Sequence, residues 1–198
     1  MSGKVVAIVG SYRRGGMIDS AVEAILEGAR EKGAQTHTIY LAAQHLAYCK
    51  NCRQCTQEPG IERGKCDQQD DLETILAEIE TADAVVLASP VNYGNVTAVF
   101  RTFMERLLGY AYWPWGQPAP VGRKKLPTRK AALVASSGMP GFLIPWATGT
   151  GHALRTTARM LGARPVSSLW IGLAAGKPHP QLSASNRKRA RRIGQRLA

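Results

Sequence analysis

Four cysteines occur in this 198-residue chain, and all of them fall in one stretch, Cys49-x2-Cys52-x2-Cys55-x10-Cys66. Gaps of two residues gather thiolates on a turning backbone, as metal and iron-sulfur sites require, whereas a disulfide framework scatters cysteines to staple distant segments. Cys49, Cys52, Cys55 and Cys66 are therefore the candidate metal ligands. The spacing leaves three readings open: iron-sulfur ligation, zinc, or structural or redox thiols without metal.

Three loop-like stretches carry a second kind of chemistry. Gly10-Ser11-Tyr12-Arg13-Arg14-Gly15-Gly16-Met17-Ile18-Asp19-Ser20 joins glycines, hydroxyls and cationic groups just where a helix opens. Helix N-terminal amides, the Ser11 and Ser20 hydroxyls and the Arg13 fork together make a phosphate cradle. Neither Gly-x-Gly-x-x-Gly nor a Walker Gly-Lys-Ser/Thr is present, so neither a dinucleotide nor a nucleoside triphosphate is indicated. Ser89-Pro90-Val91-Asn92-Tyr93-Gly94-Asn95-Val96-Thr97 presents an aromatic ring, amides and backbone donors suited to a flat heterocycle, and Ser136-Ser137-Gly138-Met139-Pro140-Gly141 is a third small-residue loop.

The elements that must position these residues alternate along the chain. Short apolar runs at Lys4–Val9, Thr36–Leu41, Ala84–Ser89, Ala131–Ser136 and Val166–Ile171 read as strands. Between them lie helical faces: Ile18, Val22, Ile25, Leu26 and Ala29, with Ser20 and Glu23 as a capping box and Gly33 as a stop; Leu72, Ile75, Leu76 and Ile79 after Asp70-Asp71; Val99, Phe100, Phe103 and Leu107; and Leu154, Ala158 and Leu161. A last helix is expected near Ser183–Leu197. Strand-helix alternation predicts an α/β fold, a flavodoxin-like doubly wound five-stranded parallel sheet with helices on both faces. In such a sheet, ligands bind at the carboxyl ends of the strands where the order reverses, which places residues 10–20 and 90–96 together. The chain is expected to form one domain, 1–198. Its one uneconomical connection is a 28-residue loop at about 42–69, and all four cysteines lie in it.

The motifs Gly-Ser-Tyr-Arg-Arg-Gly-Gly, Ser-Pro-Val-Asn-Tyr-Gly-Asn-Val-Thr and Phe103-Met104-Glu105-Arg106 resemble the flavodoxin-like NAD(P)H-dependent FMN reductases. Within that superfamily the compact cysteine run followed by Asp70-Asp71 resembles the iron-sulfur flavoproteins, which hold FMN and a [4Fe-4S] cluster. The resemblance implies that Ser11, Arg13, Gly16, Ile18 and Ser20 hold the FMN phosphate. It implies that Pro90, Val91, Asn92, Tyr93, Gly94 and Asn95 pack on the isoalloxazine, with Ser137 and Gly138 nearby. Met17-Ile18 stands where relatives commonly place Asn-Thr, which moves that hydroxyl contact to Ser20 or removes it. Asn92 stands where an aromatic residue is usual. The implied activity is FMN-dependent NAD(P)H oxidoreduction toward a quinone, flavin or similar acceptor. The alternative is an electron carrier exchanging electrons with a ferredoxin-like protein.

Lys and Arg exceed Asp and Glu by 26 − 14 = 12, concentrated in Arg123-Lys124-Lys125, Arg129-Lys130 and Arg187-Lys188-Arg189-Ala190-Arg191-Arg192. No nucleic-acid motif accompanies this charge, so a solvated or cofactor-attracting surface is expected ahead of a nucleic-acid partner. The apolar segment after Met1-Ser2-Gly3-Lys4 is too short for a signal or membrane segment, and a soluble cytoplasmic protein is expected. Tyr110-Ala111-Tyr112-Trp113-Pro114-Trp115-Gly116 is richer in large rings than a solvated loop. It reads as a subunit interface, consistent with a homodimer or homotetramer, ahead of a flavin lid or packing within its own domain. Glu105-Arg106 reads as a charged pair at a helix end, and His37, His45, His152 and His179 are too dispersed for a site.

Overall fold

A computed structural model describes residues 3–123, 127–176 and 181–198. Lys124, Lys125 and His179, together with Met1 and Ser2, lie outside the described residues. The central strand β1 (Lys4–Val9) is buried along its apolar length, as expected of a parallel strand covered on both faces. Around it the sheet runs β2-β1-β3-β6-β7, every neighbour parallel, with β2 at Gln35–Tyr40, β3 at Ala84–Pro90, β6 at Arg129–Ser136 and β7 at Ala163–Ile171. This is the doubly wound order expected from the alternation of strands and helices.

Two cores flank the sheet. On one face Val6, Ile8, Val85, Leu87 and Leu133 meet α2 (Leu72–Glu80), α3 (Ala98–Glu105) and α5 (Thr150–Met160). On the other, Val5, Ala7, Val9, Val86 and Val134 meet α1 (Met17–Arg30) and α6 (Ala184–Leu197). A β-carbon on Gly194 would stand 1.8 Å from the carbonyl oxygen of Ile25, and one on Gly28 would stand 2.1 Å from that of Arg191. These two helices therefore cross backbone to backbone. Gly194→Ala is expected to cost about 1–3 kcal/mol through overpacking, read as a lowered urea midpoint with an unchanged slope.

Three details depart from the sequence reading. Ser20 and Glu23 do not form a capping box: α1 starts four residues before Glu23's expected turn, capped by extended Gly16, and Ser20 lies inside it with its amide on the Gly16 carbonyl. The helix starts early because Asp19, in its first turn, reaches back to accept the Gly15 amide at 2.6 Å, doing the work assigned to Glu23. A two-stranded hairpin, β4 (Ala111–Tyr112) with β5 (Val121–Gly122), and a one-turn helix α4 (Ile144–Ala147) also occur within long connections. Among the described residues no helix is long and apolar enough to cross a membrane.

Candidate functional site

The loops after β1, β3 and β6 emerge side by side at the carboxyl end of the sheet, with the strand order reversing between β1 and β3. Gly10 fixes the first loop against the second. Its amide bonds the Ala88 carbonyl at 2.8 Å, and its carbonyl accepts the Thr97 hydroxyl at 2.6 Å. Thr97 also caps α3, so one side chain ties both loops to a helix start.

In the first loop buried Ser11 folds onto Arg13: its Oγ accepts the Arg13 amide at 3.2 Å. Arg13 is exposed, while the guanidinium of Arg14 lies 3.1 Å from the ring centroid of Tyr40. Among the described residues no side chain caps α1, so its leading amides remain available to an anion. Gly16 and Ile18 sit at that helix start, but the Ile18 side chain belongs to the core, which leaves only its backbone to a ligand. Half-buried Ser20 is one turn further in. Sequence reasoning assigned nothing to Asp19, whose Oδ1 is buried without a partner among the described residues. Burial first, and the neighbouring Asp19 carboxylate second, raise the Tyr40 hydroxyl above its ordinary pKa.

The second loop ends in a tight turn. Asn92 and Asn95 exchange backbone hydrogen bonds at 2.7 and 3.0 Å, and Tyr93 and Gly94 between them both have positive φ, 49° and 77°. That pair is the conformation of a primed turn. It leaves the Tyr93 ring fully exposed at the tip. Pro90 closes β3 and the Val91 amide bonds Ser136, joining the second loop to the third. Gly149, absent from the sequence reading, lets the segment before α5 approach: its amide bonds Gly94 at 2.8 Å, and a β-carbon there would stand 2.6 Å from Asn95 Nδ2. In the third loop Ser137 Oγ accepts the Met139 amide, and Gly138 packs near Ala175. Phe142, Trp146 and Leu173 stand exposed beside it. Donor-rich amides, a buried hydroxyl and an exposed ring on three joined loops fit a phosphate-bearing flat cofactor.

The cysteine loop leaves β2, the neighbour of β1, at the same end of the sheet. Its anchor is a buried ion pair: Arg106 and Asp70 side chains are each 1% exposed, with Nη1 and Oδ2 2.5 Å apart. Arg106 also donates to the Ala47 carbonyl at 2.6 Å and, through Nη2, to Cys66 Sγ at 3.4 Å. Its Nε is buried without an acceptor among the described residues. Arg106 is therefore not paired with Glu105, which bonds Arg101 on the helix surface, and the expected charged pair at the helix end is not formed. Burial opposes ionisation of Asp70, but the guanidinium together with the amides of Ala47 and Leu72 more than offsets it, and its pKa lies below the ordinary value. A depressed carboxyl stabilises the fold above its unfolded pKa of about 3.9 and ceases to do so as pH falls through the lower folded value. The loop is thus expected to stay protected from an acid-active protease at mildly acid pH and to open only below the ordinary aspartate range. Opening at a higher pH would contradict this.

A second arginine departs from the expectation of a solvated or cofactor-attracting basic surface. Arg123 is buried and donates to the carbonyls of Gly109, Glu58, Gly60 and Cys55, clamping the loop. Gly64 and Gly109 meet backbone to backbone there, at 2.9 Å between amide and carbonyl. The aromatic run packs within its own chain. Arg53 lies between Trp113 and Trp115, 3.8 and 4.3 Å from their rings, and donates to the carbonyls of Trp113 and Pro114. The rings are used to hold the cysteine loop, with only Trp115 left exposed.

All four thiols are free, Cys52 exposed and the others half-buried. Burial, then the proximity of Cys66, Cys49 and Cys52, pushes the Cys55 thiol up to about 11. Among the described residues no group of three or more His, Cys, Asp or Glu side chains is placed to hold a single metal ion. The donor set itself, four thiols with N–H groups of Arg106 and Asn51 on Cys66 and Cys49 and an unmet donor at Arg106 Nε, fits an anionic iron-sulfur cluster, which spreads its ligands over several irons.

The family model of NADPH-dependent FMN reductases matches residues 3–176. An iron-sulfur flavoprotein of Archaeoglobus fulgidus is 35% identical over 111 residues, 56% of this chain and 48% of that protein. One of Methanocaldococcus jannaschii is 37% identical over 103 residues, 52% and 51% of the two chains. The chain thus spans about half the length of these curated relatives. The solved NAD(P)H:quinone oxidoreductase of Methanothermobacter marburgensis shares the fold, with a TM-score of 0.66, 21% identity and full coverage of both chains. With the three loops at the reversal of the sheet and a cysteine quartet beside them, the chain belongs to the NADPH-dependent FMN reductase family and resembles, within it, the iron-sulfur flavoproteins.

Proposed function

We propose that this protein is an FMN-dependent NAD(P)H oxidoreductase that reduces a quinone, a flavin or a similar acceptor. The observation that carries the reading is the junction of the loops after β1, β3 and β6 beside the uncapped start of α1. Bound FMN would supply the exchange of a hydride with nicotinamide and of electrons with the acceptor. The chain's own work is binding and orientation. The amides from Gly16 to Ile18 hold the phosphate with Ser11, Arg13 and Ser20. Pro90, Val91, Asn92, Tyr93, Gly94 and Asn95 take the ring, and Ser137 and Gly138 close its far side. No side chain is required as acid or base.

Cys49, Cys52, Cys55 and Cys66 would hold a [4Fe-4S] cluster, and Arg106 would keep Cys66 in place. That quartet supports a second reading, an electron carrier serving a ferredoxin-like partner. The whole chain acts as one cytoplasmic unit, with 42–69 as its cysteine-bearing insertion. Exposed Phe142, Trp146 and Leu173 support assembly into a homodimer or homotetramer.

Anaerobic mixing of the FMN-loaded protein with NADPH separates the readings. Flavin absorbance is expected to bleach on the timescale of turnover. Bleaching by reduced ferredoxin alone would favour the carrier, and a chain that takes up no flavin would end both readings.

A further inference from the structure

The arginines of α6 divide into two rows. Arg187 and Arg191 reach α1, pairing with Glu27 and Glu31. Arg189 and Arg196 face the opposite way, and Arg192 stands between the rows, bordering the surface around Arg187 and Arg191 as well. With Arg155 of α5, Arg189, Arg192 and Arg196 line a cavity of about 650 Å³, broadly open to solvent, whose floor is Pro165–Ser168 and Trp170 of β7. None of these four guanidinium groups joins an ion pair among the described residues. Among the described residues no carboxylate lines the cavity. Four like charges gathered in one concavity repel each other unless an anion joins them.

The cavity wraps the open edge of the sheet, with α5 covering one face and α6 the other. An open edge invites a further strand, but this one is guarded. Pro165 lacks an amide hydrogen, the pairing with β6 slips between Ala131 and Ala132, and Arg189 covers the Ser168 carbonyl at 3.1 Å. An extended peptide is thus a poor occupant. Guanidinium forks and the Ser167 and Ser168 hydroxyls instead offer donors that suit phosphate oxygens, and half-buried Trp170 offers an aromatic wall. The volume is in the range of about 300–1,000 Å³ usual for small-molecule sites.

We propose that this edge cavity binds a phosphorylated aromatic anion of nucleotide size, its phosphates on Arg155, Arg189, Arg192 and Arg196 and its ring at Trp170. It shares no residue with the three loops at the carboxyl end and does not rest on the flavin reading.

The test titrates the FMN-saturated full chain with adenosine 5′-triphosphate as the probe, by calorimetry at low and raised salt. Arg192 and Arg196 are exposed, so Arg192→Glu/Arg196→Glu should fold and keep its flavin. Saturable binding that weakens with salt, and weakens about 100-fold in the double variant, is the expected result. Equal affinity in both proteins, or no binding to either, would overturn the site. Tripolyphosphate binding as tightly as the nucleotide would overturn the role of Trp170. Binding of a single-stranded oligonucleotide with the free nucleotide inert would overturn the small-ligand assignment in favour of a nucleic-acid surface.

Discussion

Arg106→Leu is expected to cost about 3–5 kcal/mol, because it strands the Asp70 carboxylate in a place where both partners are 1% exposed. The loss should be largest in the cysteine loop. Asp70 and Arg106 hold Ala47 by its amide and its carbonyl, and Asp71 holds the His45 amide from the adjacent position. Trypsin cleavage after Lys50, Arg53 and Lys65 should therefore accelerate before the sheet unfolds. Arg106→Leu/Asp70→Leu should recover most of the global stability, since a buried ion pair is commonly replaced by apolar groups at little cost. It should not recover the N–H···S contact to Cys66. Iron bound after reconstitution is therefore expected to stay low in the double variant while its urea midpoint returns. A double variant as unstable as Arg106→Leu would refute the account of a stranded charge, and full iron uptake by it would refute the placement of Cys66 by Arg106.

The second large effect is expected at Gly10→Ala. A β-carbon there would stand 2.7 Å from Phe100 Cβ and 3.1 Å from Thr97 Oγ1. Phe100 is a buried core ring, and Thr97 is the residue that ties the loop after β1 to the loop after β3. Neither can retreat without parting the two loops. About 1–3 kcal/mol of stability should be lost. FMN affinity should fall by roughly 10–100-fold, equivalent to about 1.4 kcal/mol for each factor of ten. Gly176→Ala is the control: among the described residues nothing lies within 4 Å of its added carbon, and both quantities should be unchanged. Loss of stability with undiminished FMN affinity would separate Gly10 from the cofactor site.

The period of the apolar residues was enough to read the five strands and their helices, because central strands such as Val5–Val9 and Ala84–Ala88 are buried on both faces. The loops at the reversal of the sheet followed from strand order alone. The brackets holding those loops were not legible. Asp70 looks like any acidic residue before a helix, and Arg106 like any charge at a helix end, since their partnership spans 36 positions. Gly64 and Gly109 meet for reasons no local window contains. Arg123 stood in a basic run that composition alone assigned to a solvated or cofactor-attracting surface, yet four carbonyls of the cysteine loop and its neighbour turn toward it. The aromatic run was rightly read as needing cover, but the cover comes from Arg53 inside the same chain. Asp19, not Glu23, reaches back to the Gly15 amide just outside the helix, because its carboxylate is one turn closer.

Arg53 between Trp113 and Trp115 has a consequence for observation. The chain has four tryptophans, and two of them flank a residue between Cys52 and Cys55. Intrinsic emission therefore doubles as a gauge of the cysteine loop. Release of the loop would uncover the half-buried Trp113 indole and shift its light to the red, giving an optical record of the event without a label.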